Sequence, residues 1–149
     1  MTLKQKIHAH YVRQVNDRID AFRDMIAALT EDSKNDAKGS AGDKHETALS
    51  MMHIEQEKFN RKLSEILAQK AILDKIDPNN NSDKIVLGSL VQANGMLLYV
   101  STALSKITVD GKTIIAVSPQ SPLGSKLIGN VTGFQFEIHN TKYKIEAVL

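Results

Sequence analysis

Apolar residues recur at heptad spacing in two runs within the first half of the sequence. In the first run the steps alternate between three and four residues: Val12, Val15, Ile19, Phe22, Ile26 and Leu29. The second run has one residue every seven positions and one further member: Met52, Phe59, Leu63, Ile66 and Leu73. This spacing aligns apolar side chains along one stripe of a helix, as in a coiled-coil seam. The first half is therefore predicted to form two long helices, each with one apolar stripe.

The segment between the two runs is polar. Residues 31–43, EDSKNDAKGSAGD, lack apolar periodicity and contain two glycines, which predicts a turn near residues 33–43. Two seams joined by a short polar turn predict an antiparallel helical hairpin, with an arm of roughly 45 Å for about 30 residues per helix. Periodicity alone leaves a larger bundle or a dimer seam open, to which Tyr11, Met25, Met51 and Ile54 could belong.

The composition changes at Pro78. All four arginines precede it, whereas most glycines and many β-branched residues follow it. The stretch DPNNNSD, residues 77–83, has the proline and asparagine content of a linker. The sequence therefore predicts a coiled-coil arm at residues 1–77, a linker at 78–83 and a second domain at 84–149.

The second half consists of short β-favouring runs bounded by turn residues: KIVLGSLVQA, MLLYVS, KITVD, KTIIAVS, FQFEIH and KYKIEAVL. Asn94-Gly95 and Asp110-Gly111 are flanked by such runs, which is a strong hairpin signal. Residues 118–129, SPQSPLGSKLIG, predict an extended loop and one short helix closed by Gly129. The expected fold class is α+β, an antiparallel coiled-coil hairpin followed by an antiparallel β domain with one short helix.

Composition excludes several classes of site and location. The chain has no cysteine, so disulfides, thiolate metal sites and cysteine nucleophiles are excluded. Its net charge of +2 is too small to indicate nucleic-acid binding by bulk charge. No apolar run approaches the roughly 20 residues that span a bilayer, and the N-terminus lacks the apolar core of a signal peptide. We expect a soluble cytoplasmic protein that does not contact a membrane.

Most other candidate groups do not indicate a free-standing active site. The histidines lack the i, i+4 spacing of helical metal ligands, and we expect all five on the solvated surface: His8, His10, His45, His53 and His139. Ser118 and Ser121 have no His or Asp partner in their sequence context, which argues against a hydrolase triad.

Two acids three residues apart, Asp43 and Glu46, open the second helical run in the stretch GDKHE. On spacing alone the commoner interpretation is helix capping, with Asp43 as N-cap and Glu46 close to a capping box. The alternative is a Mg²⁺ site, because Mg²⁺ takes oxygen ligands and often only one or two protein carboxylates. The two interpretations are compatible, since a cap can hold the geometry that a metal needs.

The stretches VSPQSPLGSKLIGNVTGFQFEI, KYKIEAVL, GDKHE and EQEKF resemble the GreA/GreB family of bacterial transcription elongation factors, in order and spacing over the whole chain. The resemblance implies an FKBP-like C-terminal domain that binds RNA polymerase and an arm that enters its secondary channel. The factor would promote cleavage of backtracked RNA as an accessory protein, not as an enzyme. Asp43 and Glu46 match the catalytic acids, which hold Mg²⁺ shared with the polymerase. Ser121, Pro122 and Leu123 match the polymerase-binding loop.

Other functions stay open at this point. The same fold would serve a regulator or inhibitor of RNA polymerase that does not promote cleavage. The helical seams would also serve a dimerisation adaptor unrelated to transcription. Five basic residues lie on the predicted helices: Arg13, Arg18, Arg23, Arg61 and Lys62. They form either a solvated face with helix ion pairs or a weak contact for an RNA 3′ end. No cofactor is expected in the isolated protein.

Overall fold

The computed structural model describes the backbone of residues 1–39 and 43–149, and the side chains of residues 1–32, 34 and 46–149. Its helices are α1 (Leu3–Gly39), α2 (Asp43–Asp74) and α3 (Pro122–Leu127). Its strands are β1 (Leu90–Ala93), β2 (Met96–Val100), β3 (Ile107–Val109), β4 (Lys112–Val117), β5 (Gln135–Ile138) and β6 (Thr141–Val148). Two long helices thus precede a six-stranded sheet with one short helix, which confirms the α+β class.

The chain forms two compact units. One contains residues 13–70, and the other contains residues 1–12 together with residues 71–149. The first residues of α1 and the last residues of α2 therefore belong to the unit that holds the sheet. Within the described residues, no helix is long and apolar enough to cross a membrane.

In the unit of residues 13–70, α1 and α2 pair along the predicted seams. The rings of Phe22 and Phe59 lie 5.8 Å apart, and the Gln56 side-chain amide donates a 2.9 Å hydrogen bond to Thr30 Oγ1. Later residues of α1 thus contact earlier residues of α2, so the helices are antiparallel. The apolar members of both predicted seams are buried or half-buried.

The prediction of a turn near residues 33–43 is wrong for its first residues, because α1 continues to Gly39. Residues 33–38 have no apolar stripe, but they also contain no glycine or proline that would interrupt the helical hydrogen bonds. A polar helix end carries no periodic signal, so the pattern placed the boundary too early. The first residue of α2 is Asp43, as the GDKHE stretch predicted.

The sheet has the strand order β3-β4-β2-β1-β6-β5. Both predicted hairpins form, with Asn94-Gly95 joining β1 to β2 and Asp110-Gly111 joining β3 to β4. The expectation of a wholly antiparallel sheet is wrong at one pair, because β2 and β4 are parallel. The chain leaves β2 through residues 101–106 and runs back along β3, and the second hairpin then returns β4 beside β2 in the same direction.

Each face of the sheet buries its own apolar layer. On one face, alternating residues of the strands pack with Ile85 and with Leu127 of α3: Val91, Ala93, Leu98, Val100, Val117 and Ile145. On the other face, Tyr99 of β2 is fully buried and its ring stacks on Tyr11 of α1, with centroids 6.1 Å apart. The start of α1 therefore covers the face opposite α3.

Lys4 of α1 forms hydrogen bonds with the predicted linker. Its ammonium donates to Asn80 O at 2.6 Å, and to Asn81 Oδ1 and Leu149 O at 3.2 Å each. The residue is only 6% exposed, and burial lowers the pKa of Lys4, partly offset by the negative charge of Asp77. Three oxygen acceptors match the three donors of the ammonium group, so the cation is buried without unsatisfied hydrogen bonds.

His8 does not lie on the solvated surface, so that expectation is wrong for this residue. The ring is half-buried, and its Nδ1 lies 2.8 Å from Tyr99 Oη. Burial lowers the pKa of His8, and the carboxylates of Asp74 and Asp77 partly offset this effect. The neutral imidazole is therefore the form that the folded protein favours.

This environment predicts a pH-dependent stability. Because the folded pKa of His8 lies below its unfolded value of about 6.5, the unfolded chain binds the extra proton more readily. The contribution of neutral His8 to the stability of the fold is complete above this unfolded pKa. It is lost as the pH falls through the folded pKa of His8. In urea unfolding, a His8→Asn variant should lose less stability than the wild type over this window. Equal losses in both proteins would contradict the assignment.

Candidate functional site

The loop of residues 118–121 is fixed to the first turn of α3 by Ser121. The Ser121 hydroxyl donates to Ser118 O at 2.7 Å and accepts from the Gly124 backbone N–H at 2.9 Å. The Ser121 N–H also donates to Ser118 O at 3.0 Å. Ser121 is thus the N-cap of α3, and Pro122 occupies the first helical position, where its missing N–H costs no helical bond.

Gly124 permits the loop to lie directly on the helix. A Cβ atom at this position would stand 1.8 Å from Ser118 O, which is far inside van der Waals contact. No other residue fits without moving the loop. Gly124 was not among the predicted site residues, although a glycine inside a short helix indicates a close backbone approach.

The three predicted docking residues are brought together but differ in exposure. Pro122 is exposed, whereas Ser121 and Leu123 are half-buried. Leu123 packs against the apolar layer under α3, so it anchors the helix to the sheet. Pro122 is therefore the member of the trio that a partner reaches most readily.

Exposed apolar side chains continue from the end of α3. Ile128, Val131 and Phe134 follow the helix and are each 38–44% exposed. Val86 belongs to a segment joined to the helix end, because the Gly129 N–H donates to Ile85 O at 2.8 Å. Sequence patterning did not indicate these residues, since an exposed apolar side chain has the same local pattern as a buried one. Pro122 and these four residues extend the accessible apolar surface of the segment around α3.

The two acids lie on the first turns of α2. Asp43 is the first helical residue, and its side chain lies outside the described residues. Glu46 is exposed three residues later on the same helix. Among the side chains that the structure describes, no three His, Asp or Glu residues are grouped for a metal. Asp43 and Glu46 are thus three residues apart, on one turn of the α2 backbone.

Comparison with known proteins gives similarity to solved structures alone. No protein-family profile matches the chain, and no curated protein does. A solved structure of the transcription factor Gfh1 is 17% identical, with 92% of each chain covered and a TM-score of 0.35. A similarity of this degree assigns no function to the chain.

The contact of Gly124 predicts a steric effect on stability. A Gly124→Ala variant places a methyl group on Ser118 O, and we expect a loss of about 1–3 kcal/mol, as for overpacked sites. Helix propensity alone would predict a gain from the same change. Ser125→Ala, on the exposed side of α3, is the matched control and should change stability by less than about 0.5 kcal/mol. A Gly124→Ala protein as stable as the wild type in thermal unfolding would disprove the contact.

Proposed function

We propose that the protein is a Gre-type accessory factor of RNA polymerase. It docks through loop 118–121 and α3, and it presents Asp43 and Glu46 to a backtracked transcript in the secondary channel. The observation that supports docking most directly is the double role of Ser121, which binds Ser118 and Gly124 at once. A loop held in this way loses little conformational freedom on binding, so more of the contact energy appears as affinity.

The paired helices support the role of the arm. Within the unit of residues 13–70, α1 and α2 each contribute close to the about 30 residues expected for a Gre-type arm. Asp43 begins α2, so both acids occur at the start of this helix. In an arm of this kind, charge at the end of the hairpin is available to a partner, while the seam residues are used for helix pairing.

The donor set of the acids fits Mg²⁺ shared with the polymerase. Two carboxylates are too few to hold a strongly hydrated ion in the free protein, but they leave positions for water, polymerase carboxylates and RNA phosphate. Held by Asp43 and Glu46 in the complex, such an ion would supply activation of water and stabilisation of the cleaved phosphodiester. The chain's own part is to position the two carboxylates, so it acts as an accessory factor without a stand-alone active site.

A weak contact with the RNA 3′ end is part of the proposal. None of the four arginines, Arg13, Arg18, Arg23 and Arg61, forms a salt bridge with a described side chain. All four are exposed. Phosphate contacts need only positioned positive charge, so these residues are available to a nucleic-acid backbone.

A second candidate is a polymerase regulator that does not promote cleavage. Lys44 and His45 lie between the two acids in the sequence. Positive charge at these positions would oppose a divalent cation and favour binding without cleavage. A coiled-coil adaptor unrelated to transcription would instead show no affinity for the polymerase.

The docking surface is tested by binding to core RNA polymerase. Pro122→Glu keeps a good first-turn residue in α3 but places a charge on the exposed apolar surface, and we expect the Kd to rise at least about tenfold. Thr108→Glu adds the same charge to an exposed position of β3 and should leave the Kd unchanged. Equal affinities of both variants would show that α3 is not part of the interface. Absence of wild-type binding would favour the adaptor.

The acids are tested by transcript cleavage in stalled elongation complexes. The double variant Asp43→Asn with Glu46→Gln deletes charge, and asparagine has the same preference as aspartate for helix capping, so stability should fall by well under about 1 kcal/mol. Polymerase binding should persist and cleavage should be lost. Equal cleavage by wild type and variant would limit the pair to helix capping. A wild type that binds without stimulating cleavage would identify the non-cleaving regulator.

A further inference from the structure

The turn between β1 and β2 contains the only Asn-Gly pair of the sequence, Asn94-Gly95. Both residues have positive φ angles, 51° and 74°, and both are exposed. Asparagine followed by glycine is the pair most prone to deamidation, because no side chain on the second residue hinders ring closure. Asparagine is for this reason a thermolabile residue.

The Asn94 amide takes the place of a peptide group beside β6. Its Nδ2 donates to Lys142 O at 2.8 Å, and its Oδ1 accepts from the Lys144 N–H at 3.1 Å. The pairing of β1 with β6 reaches Ala93 and Ile145, with a register shift just before this pair. The side chain therefore extends the ladder past the last residue of β1.

The Gly95 backbone is bound to β6 by a carboxylate. Its backbone N–H donates to Glu146 Oε1 at 3.0 Å. Three hydrogen bonds thus connect the Asn94-Gly95 turn to β6: two through the asparagine amide and one through the glycine nitrogen. Deamidation must join the Asn94 side-chain amide carbon to the Gly95 nitrogen, so the hydrogen bonds hold both reacting groups.

We propose that Asn94 is a deamidation site whose reaction the fold restrains through β6 and Glu146. In the reaction, the Gly95 nitrogen loses its proton to base and attacks Asn94 Cγ. The Cγ–Nδ2 bond breaks as the leaving nitrogen takes up a proton from the protonated base, ammonia leaves, and a five-membered succinimide remains. Water then opens either carbonyl of the ring, which yields aspartate or isoaspartate.

Each hydrogen bond opposes a step of this sequence. Attack requires the Asn94 amide to leave Lys142 and Lys144 so that Cγ can meet the Gly95 nitrogen. The nitrogen must also leave Glu146 and lose its proton, and the adjacent negative carboxylate disfavours a second negative charge. The folded turn is therefore slow to react, and local opening at β6 controls the rate.

The product would weaken the edge of the sheet. Aspartate has no N–H to donate to Lys142 O, and two oxygens would face each other there without a proton. Isoaspartate adds a methylene group to the main chain of the turn. The pairing of β5 depends on β6, its neighbour in the strand order. Deamidation at Asn94 would thus also weaken the pairing of β5, because it disturbs residues 142–144 of β6.

Peptide mass spectrometry after ageing in mildly alkaline buffer tests the restraint. We expect the succinimide and its products at Asn94 to form at least about tenfold faster in urea-unfolded protein than in folded protein. In the folded state, Glu146→Ala should react faster than the wild type, and Glu146→Gln should lie between them. Asn140 is the internal control, because its turn has φ angles of 51° and 66° but Thr141 follows it. Equal rates in folded and unfolded wild type would overturn the proposal.

Hydrogen exchange tests the consequence in the same aged sample. The Lys144 amide, which donates to Asn94 Oδ1, should exchange faster in the isoaspartate fraction than in the intact fraction, because the added methylene group displaces this acceptor. The amide of Ser101, which donates to Val117 O in a distant part of the sheet, should exchange at the same rate in both fractions. Unchanged exchange at Lys144 would show that the Asn94 amide does not hold β6.

Discussion

The stacked contact between Tyr11 and Tyr99 is the interaction on which the sheet unit depends. It buries a central strand, β2, under the first turns of α1, with the two ring planes 2° from parallel. The polar ends of both rings have partners, since Tyr11 Oη donates to Ser105 O and Tyr99 Oη meets His8 Nδ1. Burial raises the pKa of Tyr11 to about 12, so its hydroxyl stays protonated and donates. Large rings with satisfied hydroxyls contribute both apolar burial and a fixed orientation.

This contact leaves the opposite face of the sheet to α3. Leu127 is fully buried in that layer and Leu123 packs beside it, which fixes the helix along its length. Gly124 lies between them and brings the backbone of α3 onto Ser118. The rigidity of the proposed docking loop is thus a consequence of sheet packing. Of the three predicted docking residues, Pro122 is the exposed one.

Local sequence signals predicted most elements, whereas contacts between distant segments were not predictable. Heptad spacing located the helix pair, and Asn94 and Asp110 located two hairpins, because each pattern reports on neighbours in sequence. The parallel pairing of β2 with β4 depends on where residues 101–106 lead the chain, which no local pattern encodes. The burial of His8 comes from a tyrosine 91 residues away. The functional roles of Asp43 and Glu46 stay a prediction.

Site-specific photo-crosslinking to a stalled elongation complex tests the proposed function most directly. A photoreactive residue at position 122 should crosslink to a polymerase subunit, whether or not the transcript is backtracked. The same residue at position 46 should crosslink near the RNA 3′ end or the catalytic centre, most strongly in backtracked complexes. Crosslinks from position 46 to a second copy of the chain, with none from position 122 to the polymerase, would contradict the account and support a dimerisation adaptor.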